Sequence, residues 1–451
     1  MTEQKNNYQE QTLFNITWPL FIELALHMGM GIIATFILSH YSDAAAAGVG
    51  VGNQLLNIFI LVFNVTAVGA TILIGQKLGA NQIHKAKQLA RSAVGLNFWF
   101  GITIALVVFI FGKPLLSLFD IQGKVLEYGL IFVRICGLSL AFESLSLALG
   151  SVLRSHGYTK DSMIVTVLMD IISVGGNILA IFGLFGLPVT GVTGVSWAMV
   201  VARVFATVAL FYLVYRKLSI RIRLIDLITI KKEDIRGLLS IGVPSAGENL
   251  SYQFSQLIIT GFVASIGAST LAARVYIQNI SMVCYLFSLA IAMGTQLLVA
   301  RYIGGRQYDR ALRRGIRTLK IAMVASFVAS LMVALIGEPV LGFFTDNPNI
   351  ISIGLPVLWA IVFIEPGRAM NLVLMSSLKS AGDVRFPVII GMISMWGVCV
   401  VLSYIFGIQL GLGLLGIWIA QGFDEWLRGL FALKRWIKRP WERKMKVKMV
   451  S

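Results

Sequence analysis

The sequence predicts an all-α membrane protein, with twelve transmembrane helices in two six-helix lobes related by pseudo-two-fold symmetry along the membrane normal. Three observations carry that prediction. Of the 451 residues, 57% are hydrophobic and only 13% charged, with a mean hydropathy of +0.82; a soluble protein carries about 25% charged residues. Apolar runs of about 20 residues, enough to cross a bilayer, recur from end to end. The third observation is an internal duplication. An offset of 225 residues joins Pro19 to Pro244, Glu23 to Glu248, Gly79 to Gly304, Pro114 to Pro339 and Gly157 to Gly382. After a shift of three residues, Gly191 and Gly194 answer Gly413 and Gly416.

Hydropathy places the first six spans at 14–38, 46–76, 90–111, 126–152, 161–185 and 191–215. The second six run 238–264, 270–300, 317–336, 350–378, 386–407 and 412–433. Basic residues alternate between connections. Lys77, Lys85, Lys87 and Arg91 follow span 2, Arg154 and Lys160 follow span 4, and Arg301 to Arg317 follow span 8. Lys379 and Arg385 follow span 10, and Lys434 to Lys448 follow span 12, whereas the opposite connections hold only Lys113 and Lys124, with Arg274 at a span edge. The positive-inside rule then makes both termini cytoplasmic. An even number of spans per half gives parallel repeats, as in two-lobe carriers that rock. The expected divisions are an N-lobe at 1–215, a cytoplasmic connection at 216–236, a C-lobe at 237–433 and a basic tail at 434–451. The connection reads either as a short amphipathic helix on the inner leaflet or as a plain charged linker.

A net charge of +17 would suggest nucleic acid in a soluble chain. Here the cations sit between spans and read as a topology signal and lipid contact, with no nucleic acid expected. Cys136, Cys284 and Cys399 lie in separate apolar segments, which argues against a disulfide framework. Met1 to Gln11 is polar and has no features of a cleaved signal peptide. There is no Walker lysine in a glycine loop and no Cys/His cluster, so neither ATP drive nor metal chemistry is expected, and no cofactor.

Several stretches resemble the multidrug and toxic compound extrusion (MATE) transporters, and the resemblance covers essentially the whole chain. They are Gly242-Val243-Pro244 with Glu248, Leu271-Ala272-Ala273, and Leu378 to Pro387 between spans 10 and 11. The echo Leu153-Arg154-Ser155-His156-Gly157, and the span openings at Gly191 to Ala198 and Gly413 to Ala420, fit the same order and spacing. The resemblance implies an efflux antiporter that exports amphipathic, often cationic compounds against inward flow of H+ or Na+. It also implies departures. Relatives carry an Asp in the second half of span 1 where this chain reads Ile33-Ala34-Thr35-Phe36, and the polar pair of span 5 falls at Ser173 and Asn177 without a carboxylate. In span 10, Arg368 takes the place where relatives often have an Asp.

An ionisable group inside a span is costly and usually faces the bundle interior or a wet cavity. Glu23 and Glu248 lie about nine residues into their spans, at 1.5 Å per residue, which puts both toward mid-membrane. Each is either a coupling carboxylate or a structural acid at a proline-started helix break. Glu248 is the expected dominant coupling acid of the C-lobe, with Glu23 and Asp170 as N-lobe candidates and Glu365 as a further one. Glu143 and Arg368 are equivalent under the offset, and Glu365 and Arg368 are three apart, so an ion pair along one helix face is the plainer reading of those two. Arg203 and Glu425 correspond under the shifted register, which suggests salt bridges between lobes. Asn177, Gln256 and Asn279 are polar cavity candidates. Met28, Met30, Met282, Met370 and Met375 fit promiscuous apolar binding, or core packing.

The sequence therefore points to a twelve-span carrier of the plasma membrane, a monomer by expectation, whose partners are small amphipathic substrates and membrane lipids. A lipid or lipid-linked oligosaccharide flippase on the same two-lobe plan is the open alternative, and an enzyme is not expected.

Overall fold

The computed structural model describes residues 12–443 apart from Leu187, and the end of the basic tail lies outside the described residues. Helix α1 is Leu13–Ser39; it starts where the Thr12 hydroxyl accepts the Asn15 N–H at 3.3 Å, a side-chain cap that satisfies an otherwise free donor. Helices α2 (Asp43–Gly79) and α3 (Ile83–Ser117) follow. Helix α4 is broken into Gly123–Leu138 and Leu140–Ser155, bent by 49° at Ser139. The Ser139 hydroxyl donates to the Cys136 carbonyl at 2.7 Å, a back-bond of the kind that bends helices. Helix α5 (Thr159–Phe182) stops at Gly183, whose φ of 60° few other residues accept, and α6 is Gly191–Leu218.

The second series repeats the first. It comprises α7 (Lys232–Ile266), α8 (Ala268–Gly304), α9 (Tyr308–Leu335), α10 (Pro348–Ser380), α11 (Arg385–Gln409) and α12 (Gly413–Lys438). Asn347 caps α10 by accepting the Asn349 N–H at 3.0 Å, with Pro348 in the first position where its missing N–H costs nothing. Helix α11 contains two wide turns, Met395–Val400 and Ile405–Gln409. All twelve expected spans are present as helical segments. Among the described residues nine helices are long and apolar enough to cross a membrane alone, ten with the bent α4. Helix α12 fails that test because Asp424, Glu425 and Arg428 fall in its middle.

The three-residue shift in the duplication lies between the fifth and sixth helix of each half. The connection there runs 183–190 in the first half and only 410–412 in the second. The turn after the fourth helix, by contrast, is copied without change. Gly157 and Gly382 take φ of 89° and 77°, and the Tyr158 and Asp383 N–H groups each return to the Leu153 and Leu378 carbonyls at 3.0 Å.

The chain forms two compact units, Met1–Gly242 and Val243–Ser451. In the first, α2 packs on α3 and α4, α4 on α3 and α6, and α5 on α1 and α6. In the second, α8 packs on α9 and α10, and α10 on α9 and α12. The first core is built from Phe63, Ala70, Ala93, Phe132, Leu149 and Leu210, and the second from Val299, Leu374, Trp436 and Trp441. Outer faces remain apolar, with Ile32, Phe109, Phe254 and Phe363 exposed, as a lipid solvent requires. Gly242 illustrates the close approach that small residues allow: a Cβ there would collide with the Val65 carbonyl.

The connection 216–236 is more than a charged linker. Leu224–Ile228 is a short helix held against α3 by the Trp99 indole, which donates to the Leu227 carbonyl at 2.9 Å. Ile225 and Ile228 remain exposed on its other side. Asp234 then accepts bonds from Gln88 at 2.9 Å and Ser92 at 2.7 Å.

Candidate functional site

The ionisable residues within the helices form two kinds of cluster in each unit. The first kind lies level with the C-terminal turn of the fourth helix of the repeat. In the first unit Arg154, in the last turn of α4, donates to Glu23 at 3.1 Å. In the second, Lys379, in the last turn of α10, donates to Glu248 at 2.7 Å. Both pairs span 131 residues, so duplication copied the whole interaction. Neighbouring bonds are copied too: Ser155 to the Thr71 carbonyl and Ser380 to the Gln296 carbonyl each span 84 residues. The two glutamates are thus not lone carboxylates, and they sit at the end of α4 and α10 instead of midway along them. One oxygen of Glu23, Oε2, has no hydrogen-bond partner.

The second kind of cluster lies deeper along the fourth and sixth helices. Glu143 on α4 pairs with Arg203 on α6 at 3.2 Å. Arg203 also donates to the Ser139 hydroxyl at 2.8 Å, at the bend of α4. In the second unit Arg368 on α10 faces Glu425 on α12 at 3.5 Å. These are the same two positions with the charges exchanged. The expected salt bridges between lobes are corrected here: Arg203 and Glu425 are each partnered within their own unit, because the sixth helix of the repeat packs directly on the fourth.

The second unit extends its pair into a network. Arg368 donates to Glu365 at 2.6 Å, as the three-residue spacing predicts. Asn371 donates to Glu425 at 2.7 Å, and Arg428 contacts both Asp424 and Glu425. Ser394 on α11 donates to Asp424. Glu365 is fully buried, and its Oε2 has no hydrogen-bond partner. The first unit has a different addition. Asp170 on α5, 6% exposed, takes a hydrogen bond with His27 Nδ1 on α1 at 3.2 Å, and its other oxygen is unpartnered.

The remaining candidates fall outside these clusters. Asn177 is buried on α5 with its Oδ1 unpartnered. Gln256 on α7 accepts from Arg274 on α8 at 3.0 Å, and Asn279 is exposed on α8. Arg274 also lies over the Trp418 ring at 5.8 Å. Met370 and Met375 pack in the core of the second unit, which is the plainer of the two readings for them. Sequence reasoning missed His27, Arg154 and Lys379 as partners. A signal was present: His27 stands one turn after Glu23, and Arg154 and Lys379 obey the same offset as the glutamates they bind.

Two repeated bundles of long apolar helices, with charged side chains turned inward and paired, are the architecture of a polytopic α-helical membrane protein. The MatE family model matches the chain twice, over residues 19–179 and 244–405, and the chain belongs to that family. The two matches begin at the same 225-residue offset as the duplication. An uncharacterised transporter of Bacillus subtilis (strain 168), YisQ, is 42% identical over 433 residues, covering 96% of this chain and 95% of that protein. A probable multidrug resistance protein, NorM, of Thermotoga maritima is 25% identical over 433 residues, covering 96% and 93%. Among solved structures, an outward-facing multidrug resistance MATE transporter of the MOP superfamily superposes with a TM-score of 0.88 at 18% identity, covering 96% of each chain. A MOP superfamily transporter from Pyrococcus furiosus superposes with a TM-score of 0.87, also at 18% identity and 96% coverage of each chain. The all-helical character, the order of the spans and the six-helix repeat expected from sequence are observed.

Proposed function

We propose that this protein is a cation-coupled antiporter of the plasma membrane that exports amphipathic compounds by alternating access, with both termini cytoplasmic. One observation carries the coupling: each unit buries one more carboxylate than it has permanent cations to pair with. In the first unit, Glu23, Glu143 and Asp170 face Arg154, Arg203 and a histidine. In the deep network of the second, Glu365, Asp424 and Glu425 share Arg368 and Arg428. Arg134 is exposed and Arg274 bonds Gln256, so neither supplies the missing charge. An unpaired negative charge away from water is costly, and a bound cation removes that cost. A carrier that binds H+ or Na+ there can use the ion to bias its two orientations, with substrate binding favouring the other. His27 is the partner that can itself take up and release a proton, which favours protons at the first-unit site. The names of relatives such as the NorM proteins support multidrug export as the cargo class.

Glu23 and Glu248 enter the same cycle differently. Their pairs with Arg154 and Lys379 lie at the last turn of the fourth helix of each unit, and opening a pair frees a carboxylate for a cation. The test is dye efflux from proteoliposomes energised by a pH gradient or a sodium gradient separately. Asp170→Asn and Glu365→Gln are each expected to lower gradient-driven efflux by about tenfold or more while substrate binding persists, since they keep shape and lose the charge. Wild-type rates and ion dependence in both variants would overturn the coupling assignment.

A further inference from the structure

Helices α3 and α9 occupy the same place in the two repeats, but their cytoplasm-proximal faces are finished differently. On α3 the face carries Lys85, Gln88, Ser92, Gly95 and Trp99, and the connection between the units covers it. Asp234 takes bonds from Gln88 and Ser92, Gly95 touches Asp226 and Ile230, and Trp99 bonds Leu227. The equivalent positions on α9 are Arg310, Arg313, Arg317, Lys320 and Val324, and with Arg306, one turn earlier, the cations number five, all exposed. Their spacing of three and four residues sets them in one stripe. None of the five makes an ion pair among the described residues; Arg310 reaches only Gln307, at 3.2 Å. The nearby Asp309 is held by Arg439 at 2.7 Å.

Below the cations the same face turns apolar without a break. Val324 is 63% exposed, Phe327 41%, Val328 48% and Leu335 66%, continuing the same helical stripe. A helix rises 1.5 Å per residue and a bilayer core takes about 20 residues, so apolar residues fill the later turns and the cations fall at the headgroup level. We propose that this face of α9 is a binding site for an anionic phospholipid of the inner leaflet. Arg313, Arg317 and Lys320 would grip the phosphate, and Val324, Phe327 and Val328 the first part of an acyl chain. Charge complementarity selects the occupant. Arginine matches phosphate oxygens in a fork, a lipid supplies both the anion and the tail, and the basic tail of this chain carries the wrong sign to cover the stripe.

The proposal is tested by purifying the full chain in mild detergent from membranes containing phosphatidylglycerol, and measuring the lipid retained by native mass spectrometry. A quadruple variant, R310Q/R313Q/R317Q/K320Q, is compared with K113Q/K124Q, which loses charge on the opposite connections. The expected result is retention of phosphatidylglycerol over phosphatidylcholine by wild type and by the K113Q/K124Q control. The quadruple variant should lose that preference by about tenfold or more. R310K/R313K/R317K keeps the charge and is expected to retain most of the lipid, which separates a lost site from a misfolded protein. Equal retention of both lipids by wild type would overturn the proposal, as would undiminished phosphatidylglycerol on the quadruple variant. Displacement of the lipid by water-soluble glycerophosphate at equal concentration would overturn the tail-binding half, and an acidic peptide binding the stripe in preference to the lipid would overturn the choice of occupant.

Discussion

The two units hold the same charged positions and treat them differently. Glu23–Arg154 and Glu248–Lys379 keep both place and polarity. Glu143–Arg203 and Arg368–Glu425 keep the place and exchange the signs. A salt bridge between two packed helices needs opposite charges at a fixed distance, but nothing in the packing says which helix carries which. Where polarity is retained, something beyond the pair must read it. The first pair sits at the end of the fourth helix of the repeat, where a cation in the last turn also meets the negative end of the helix dipole, so a carboxylate there would be repelled. The deep pair lies away from the outer ends of the helices: in the first unit Glu143 stands in the first turn after the bend of α4, where a carboxylate is favoured, whereas the continuous α10 imposes no such preference at Arg368. The unmatched groups are the most informative. His27 and Asp170 correspond to Tyr252 and Met395, while Asp424 and Arg428 correspond to Ala202 and Ala206. Each unit therefore added one acid-bearing device of its own to a shared frame.

The largest effect is expected where the second unit has elaborated its pair. Arg368 is the common partner of Glu365 and Glu425, and Arg368→Gln leaves both buried acids short of a charge. Removing one member of a buried ionic network costs roughly 3–5 kcal/mol. Unfolding of the purified variant in detergent should show a loss of that order; a change within about 1 kcal/mol would mean that the network is hydrated and not structural.

Next in size is a direct trial of exchangeable polarity. Glu143→Arg or Arg203→Glu alone should destabilise by about 2–4 kcal/mol, whereas both together give the first unit the polarity of the second and should recover about 1–3 kcal/mol of that loss. The same exchange at Arg368 and Glu425 should not recover. Arg368 also serves Glu365, and Glu425 also accepts from Asn371 and Arg428, so reversal creates new like-charge contacts. Equal rescue in both units would break the distinction between a simple pair and a network.

Much of this frame was legible in the sequence, for reasons that belong to particular residues. The spans follow from lipid being an apolar solvent, and the duplication follows from Pro19 and Pro244 holding their offset. Glu365 with Arg368 was readable because three residues bring side chains to one face of a helix. The partners of Glu23, Glu248 and Asp170 were not, because they lie on helices more than a hundred residues away and depend on which helices pack. Arg154 and Lys379 looked like topology signals at the ends of spans. A long basic side chain can serve a topology signal and still reach back along its helix to a carboxylate. The bend of α4 at Ser139 gave no proline to read; Gly137 stands two residues before it, but Gly101 lies inside the unbroken α3, and at the bend the Ser139 hydroxyl bonds its own backbone.

The smallest effect concerns the pair that duplication copied with its polarity intact. If the interaction needs only a cation at the end of the fourth helix, then Arg154→Lys makes the first unit like the second and should be nearly silent. The guanidinium does slightly more than the ammonium: Arg154 Nη1 also donates to the Ser162 hydroxyl at 3.0 Å, and Thr166 helps to hold the same Glu23 oxygen at 3.4 Å. Lysine loses the bond to Ser162, which is a neutral hydroxyl able to turn elsewhere, so the expected loss is about 0.5–1.5 kcal/mol. The reverse change, Lys379→Arg, should cost no more, because the acid it serves is reached already at 2.7 Å and the larger head only adds donors. Gradient-driven efflux should persist in both variants, whereas Arg154→Gln, which leaves Glu23 part-buried without a cation, should lower stability by about 3 kcal/mol. A silent Arg154→Gln would show that the Glu23 pair is ornamental in the first unit, and the equivalence of the two ends would then fail at the position where the sequence duplicates it most faithfully.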